Sequence, residues 1–142
     1  MIPKGTLLAF DFGLKRTGVA QGELEIGVAH PLGTLHAAAR EERLAAIGRL
    51  VQEWRPAALV VGLPLHPDGA EHEMTRAARN FAAALEKRFG LPVFLADERY
   101  TSALAESALA AQGAKGAKGK HRADSLAAQM ILQGFLDARR AA

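Results

Sequence analysis

Thr6-Leu7-Leu8-Ala9-Phe10 is a short apolar run that ends on Asp11. Such a run reads as a strand, and Gly13, Gly18, Gly22, Gly27 and Gly33 punctuate the residues after it. Two further apolar pieces, Gly18–Gln21 and Ile26–Ala29, lie among those glycines, so the segment Thr6 to Leu35 reads as a three-stranded antiparallel meander. The period then turns helical. Leu44, Ile47, Leu50, Val51 and Trp54 recur at helical spacing until Arg55-Pro56 stops them. Ala58-Leu59-Val60-Val61-Gly62 is continuously apolar, as in a strand buried on both faces. A second helix carries Met74, Ala77, Ala78, Phe81, Leu85 and Phe89 on one face and closes at Gly90. Leu91–Ala96 reads as another buried strand and runs into Asp97-Glu98. Thr101 or Ser102 could cap a helix through Gln112, and a last helix is expected from about Asp124 to Arg139.

This order predicts an α/β fold: a mixed five-stranded sheet, three antiparallel strands followed by parallel ones, with helices on both faces. In such sheets ligands gather at the carboxyl ends of the parallel strands, where Asp11 and Asp97-Glu98 both fall. The chain has 142 residues, 49% of them hydrophobic, which suits one domain spanning 1–142. Cysteine is absent, which excludes disulfide frameworks, thiolate zinc sites and cysteine nucleophiles. No run reaches the ~18–20 apolar residues of a membrane span and no signal pattern opens the chain, so a cytoplasmic location is expected. The net charge is only +3. The placement of the bases says more: Lys15-Arg16 follow Asp11, and Lys115, Lys118, Lys120, His121 and Arg122 share a glycine-rich stretch that reads as a loop. Such placement suits a polyanion approaching the acids.

Several acids converging on one sheet suggest a site for hard divalent cations, which want oxygen ligands. Asp124 supplies the sharpest argument. At 100° per residue, Ala127, Ala128, Ile131, Gly134 and Phe135 lie within about 80° of it, while Ser125, Gln129, Gln133 and Asp137 gather on the other side. Asp124 thus heads the apolar face; an N-terminal cap would explain an acid there, but not the facing. Asp97 and Glu98 are adjacent and point to opposite faces of an extended chain, so only one can readily join Asp11 and Asp124, and parity alone does not choose. Arg99, Lys15 and Arg16 could contact phosphate or merely neutralise the carboxylates. The five histidines lack zinc-site spacing. Trp54 and the phenylalanines fit core stripes.

Four ordered motifs together resemble the YqgF (RuvX) family of bacteria: Ala9–Ala20, then Val60–Leu65 with Asp68-Gly69, then Asp97–Ser102, then Asp124–Ala128. The resemblance covers almost the whole chain and implies a ribonuclease H-like fold. It implies an endonuclease that hydrolyses nucleic-acid phosphodiesters with Mg²⁺ or Mn²⁺, most simply maturing the 5′ end of pre-16S ribosomal RNA. It matches the family's acidic positions to Asp11, Glu98 and Asp124 as catalytic metal ligands. Lys15, Arg16, Arg99, Lys118, Lys120 and Arg122 would then bind the nucleic-acid backbone. The chain departs from the family pattern in the Leu65–His72 loop. The partner would be ribosomal RNA precursor, or branched DNA, with no membrane, and the protein a monomer or homodimer. Rival functions are a Holliday junction resolvase, which needs a dimer with two sites, and a non-catalytic nucleic-acid or transcription-associated binding module. An actin-like nucleotide fold would need a second lobe that 142 residues do not supply.

Overall fold

The structure, a computed structural model, describes residues 4–64, 68–97 and 116–141, apart from the side chains of 116–123 and 140–141. Among the described residues five strands and three helices follow in the order β1 (Thr6–Phe12), β2 (Arg16–Glu23), β3 (Ala29–His36), α1 (Arg40–Trp54), β4 (Ala58–Leu63), α2 (Glu73–Phe89), β5 (Val93–Asp97) and α3 (Gly116–Ala141). The sheet order is β3-β2-β1-β4-β5. β1 pairs antiparallel with β2, and β2 with β3; β4 lies parallel to β1 and to β5. The expected mixed sheet is therefore present, with β1 joining its antiparallel and parallel halves.

Each face of the sheet carries its own core. Leu8, Phe10, Val19, Leu59 and Val61 pack against Leu44 and Ile47 of α1 and Ala78, Phe81 and Leu85 of α2. On the other face Leu7, Ala9, Ala20, Ala58 and Val60 meet Ala128, Ile131, Leu132 and Leu136 of α3. All six residues of β4 are buried, as its unbroken apolar run requires. Fully burying one Leu, Val or Phe contributes about 1.5–3 kcal/mol, so both layers are substantial. Among the described residues, no helix is long and apolar enough to cross a membrane.

Helix ends follow their local chemistry. α1 stops at Arg55, which adopts the left-handed conformation and donates its N–H to Val51 O just before Pro56. α2 opens with His72, whose Nδ1 accepts the Met74 N–H at 3.2 Å while its own N–H donates to Thr75 Oγ1 at 3.0 Å. Thr75 in turn donates to the Pro64 carbonyl, tying the start of α2 to the exit of β4.

Three expectations need correction. The strand expected to be buried over Leu91–Ala96 is Val93–Asp97, an edge strand with no buried residue and Leu95 open to solvent, since among the described residues only β4 flanks it. The third strand is Ala29–His36, not Ile26–Ala29; Ile26 sits in the turn and is exposed. β3 is an edge strand with a largely open surface, so it carries no apolar run to mark it. The glycine-lysine stretch is also not a loop from residue 116 onward: α3 begins at Gly116, eight residues before Asp124. The expected helix from Thr101 or Ser102 to Gln112 lies outside the described residues.

Candidate metal and nucleic-acid site

Alternation along β1 decides where Asp11 lies. Phe10 belongs to the core under α1 and α2 and Phe12 packs against it, whereas Leu7 and Ala9 face α3. Asp11 is therefore on the α3 face, one residue from the end of β1. Its ladder partner is Gly18 of β2, and Cα atoms of such a pair stand about 4.5–5.5 Å apart.

Asp124 reaches the same place from above. A Cβ built on Gly18 would lie 2.0 Å from the Asp124 carbonyl oxygen and 3.2 Å from the Ser125 nitrogen. Further along the same face, a Cβ on Gly22 would press on Leu132 and Leu136 at 3.3 Å. The helix is thus seated on bare strand, and that seat sets Asp124 over the residue paired with Asp11. Asp124 stands in the third turn of α3, so it does not cap the helix. Its neighbours on the helix face, Ala127, Ala128 and Ile131, are buried as the helical projection requires.

The glutamines opposite are not a solvated face. Gln133 Nε2 donates to Gly27 O at 2.9 Å while its Oε1 accepts the Ala29 N–H at 2.9 Å. Gln129 Nε2 donates to Ala29 O at 3.0 Å. These side chains finish the ladder where β3 begins and fix the rotation of α3 about its axis, hence the direction of Asp124.

Arg16 opens β2 and shares the α3 face with Gly18 and Ala20, since Thr17 and Val19 alternate to the other side. Its Nε lies 3.2 Å from Asp124 Oδ2, in an ion pair whose side chains are 34% and 24% exposed. His36, at the end of β3, is the register partner of Arg16. Gly13, Leu14, Lys15, Arg16, His36 and Asp124 together line a cleft of about 460 Å³. Histidine spacing alone gives no reason to single out His36; the β2–β3 register is what brings it here. The turn behind this cleft is anchored from α1. The buried Arg43 donates to Leu14 O at 2.7 Å and to Ala37 O at 3.1 Å and stacks 4.5 Å from the Phe12 ring centroid. Burial pulls its pKa below the ordinary arginine value.

Asp97 pairs in register with Leu63, which belongs to the core under α1 and α2, while Phe94 and Ala96 face α3. Alternation therefore turns Asp97 the other way from Ala96, while at the open β5 edge it also lines a groove with Met130, Ile131 and Gly134 of α3. Glu98 and Arg99 lie outside the described residues. Lys118, Lys120 and Arg122 fall on the first two turns of α3, and their side chains are outside the described ones.

Asp11 and Asp124 thus come from separate elements to the same face of the sheet, and carboxylate oxygens are the donors that hard divalent ions take. Among the described residues no group of three or more such side chains gathers, so a third protein donor would come from outside them.

Comparison with known proteins agrees with this architecture. The profile of the RuvX family, described as Holliday junction resolvase, matches residues 5–138. A protein of Thiobacillus denitrificans named "Putative pre-16S rRNA nuclease" is 62% identical over 135 residues, covering 95% of this chain and 93% of its own. A Neisseria gonorrhoeae protein of the same name is 54% identical over 136 residues, covering 96% and 90%. Among solved structures, T. thermophilus RuvC in complex with Holliday junction substrate superposes with a TM-score of 0.57 at 20% identity over 96% of each chain. That likeness shows the fold alone: ribonuclease H-like. With the family profile spanning nearly every residue and close relatives matched almost end to end, this chain belongs to the RuvX family.

Proposed function

We propose that this chain is a divalent-metal-dependent endonuclease that hydrolyses nucleic-acid phosphodiester bonds. In this proposal it matures the 5′ end of pre-16S ribosomal RNA in the cytoplasm, through a single domain spanning 1–142. The observation that carries the reading is the convergence of Asp11 and Asp124, drawn from opposite ends of the polypeptide, over the Gly18 seat beside a cationic cleft. The names of the close relatives support the reaction class.

In this reading Asp11, Glu98 and Asp124 would hold Mg²⁺ or Mn²⁺. When bound, such a cation supplies Lewis-acid activation of water and neutralises charge developing on the phosphate. The chain's own residues do the rest. Lys15 and Arg16, at the mouth of the cleft, attract and orient the phosphate backbone without reading bases. Arg99, Lys118, Lys120 and Arg122 extend that contact along the strand. Arg43 fixes the β1–β2 turn that presents Lys15 and Arg16. Affinity from these contacts falls steeply with salt.

The test is to incubate the purified protein with ribosomal RNA precursor, and separately with a four-way DNA junction, in Mn²⁺ and in chelator. Metal-dependent trimming of the RNA is expected. Symmetric cutting of the junction alone would transfer the assignment to a resolvase. Binding that survives chelator, with no product from either substrate, would leave a binding module and end the proposal.

A further inference from the structure

We propose that Arg16 is an exchangeable counter-ion of Asp124. It neutralises the carboxylate in the metal-free protein and moves to a backbone phosphate when a divalent cation takes its place. This rests on the metal-dependent nuclease reading and adds to it a coupling between cation and polyanion.

The contact is suited to exchange rather than to permanence. It joins the guanidinium Nε to Oδ2 at 3.2 Å, with the two side chains about a third and a quarter exposed. The oxygen that meets Arg16 is itself shielded from water, but with both side chains part-exposed the pair contributes little. A divalent cation of the Mg²⁺ class needs carboxylate oxygen at about 2.0–2.1 Å. A fixed positive charge on the same carboxylate would repel it, so Arg16 must turn away for the cation to enter. The structure leaves somewhere to turn: the cleft of about 460 Å³ is lined by Arg16 itself, beside Lys15 and His36. Swinging into that space directs the guanidinium toward a phosphate drawn there by the same cations, and guanidinium matches phosphate with paired hydrogen bonds. The Arg16 backbone need not follow. It is held in the ladder opposite His36, next to the paired Thr17 and Phe12. Gly13 turns so tightly against it that a Cβ there would lie 2.6 Å from Arg16 O. Only the side chain moves. Metal and nucleic acid then help each other, because each removes the partner that competes for the other's site.

Mn²⁺ binding followed by electron paramagnetic resonance, without nucleic acid, tests this on the full chain. Arg16→Gln is expected to bind Mn²⁺ tighter than wild type by roughly five-fold, the weight of a part-exposed ion pair; Arg16→Lys should fall between them. A general loss of structure would weaken binding, not strengthen it. In wild type, adding Ca²⁺ should raise affinity for a short single-stranded RNA, and Arg16→Gln should lose most of that gain. Equal Mn²⁺ affinities in wild type and Arg16→Gln would overturn the exchange while leaving the nuclease reading intact. Absence of Mn²⁺ binding in both would overturn the metal reading, and this proposal with it.

Discussion

Replacing Gly18 by alanine tests the placement of α3 directly. The added methyl would sit 2.0 Å from the Asp124 carbonyl oxygen, so the helix must retreat by about 1.4 Å to reach an ordinary 3.4 Å contact. The obstruction is main chain, which has no rotamer to yield. Overpacking a core typically costs about 1–3 kcal/mol, and a backbone clash belongs at the upper end, near 3 kcal/mol. The same retreat carries Asp124 away from Asp11, and a displacement of about 1 Å in a reacting constellation can cost on the order of 100-fold in rate. Urea unfolding should show the stability loss, and Mn²⁺-dependent cleavage of RNA precursor the activity loss. Gly134→Ala is the matched control. Gly134 is an exposed glycine of the same helix with no heavy atom within 4 Å of the added methyl, so alanine there should stabilise by about 0.8–1 kcal/mol at unchanged activity. If Gly18→Ala unfolds at the wild-type urea midpoint and cleaves at the wild-type rate, α3 does not rest on β2.

Other substitutions separate chemistry from support. Asp11→Asn should abolish metal-dependent cleavage while leaving the unfolding midpoint nearly unchanged; full activity would remove Asp11 from the site. Gln133→Ala withdraws both partners from the start of β3 and should cost about 1–3 kcal/mol by thermal unfolding. Arg43→Met keeps apolar bulk but leaves Leu14 O and Ala37 O without their guanidinium donor, for a loss of roughly 2 kcal/mol or more in urea. Thr17 has a fully buried hydroxyl with no hydrogen-bond partner among the described residues, so Thr17→Val should raise the melting temperature, by the equivalent of about 1 kcal/mol.

How far the sequence can be read depends on whether each signal is local. β4 announces itself because burial on both faces demands an unbroken apolar run. α2 is equally plain from its apolar stripe and Gly90. β3 escapes because an edge strand needs no such run, and its pairing is written in the partner strand rather than in its own residues. The facing of Asp124 follows from helical projection alone. The role of the glutamines opposite does not, since nothing local marks a side chain that bonds the backbone of a strand 100 or more residues away. The start of α3 is hidden because glycine and lysine read as solvated chain. Parity alone does not orient Asp97; its direction follows from the β4–β5 register, which puts it across from Leu63. His36 likewise acquires its position only from the register with Arg16.

A helix resting on glycine touches peptide rather than side chain, and that contact has its own mechanical character. Side-chain layers absorb disturbance by changing rotamers; a main-chain abutment does not. Heat or drift that loosens Leu132 and Leu136 would therefore slacken the far end of α3 while the end bearing Asp124 keeps its spacing from β2. Amide hydrogens around 124–128 should then be among the slowest of the helix to exchange with deuterium.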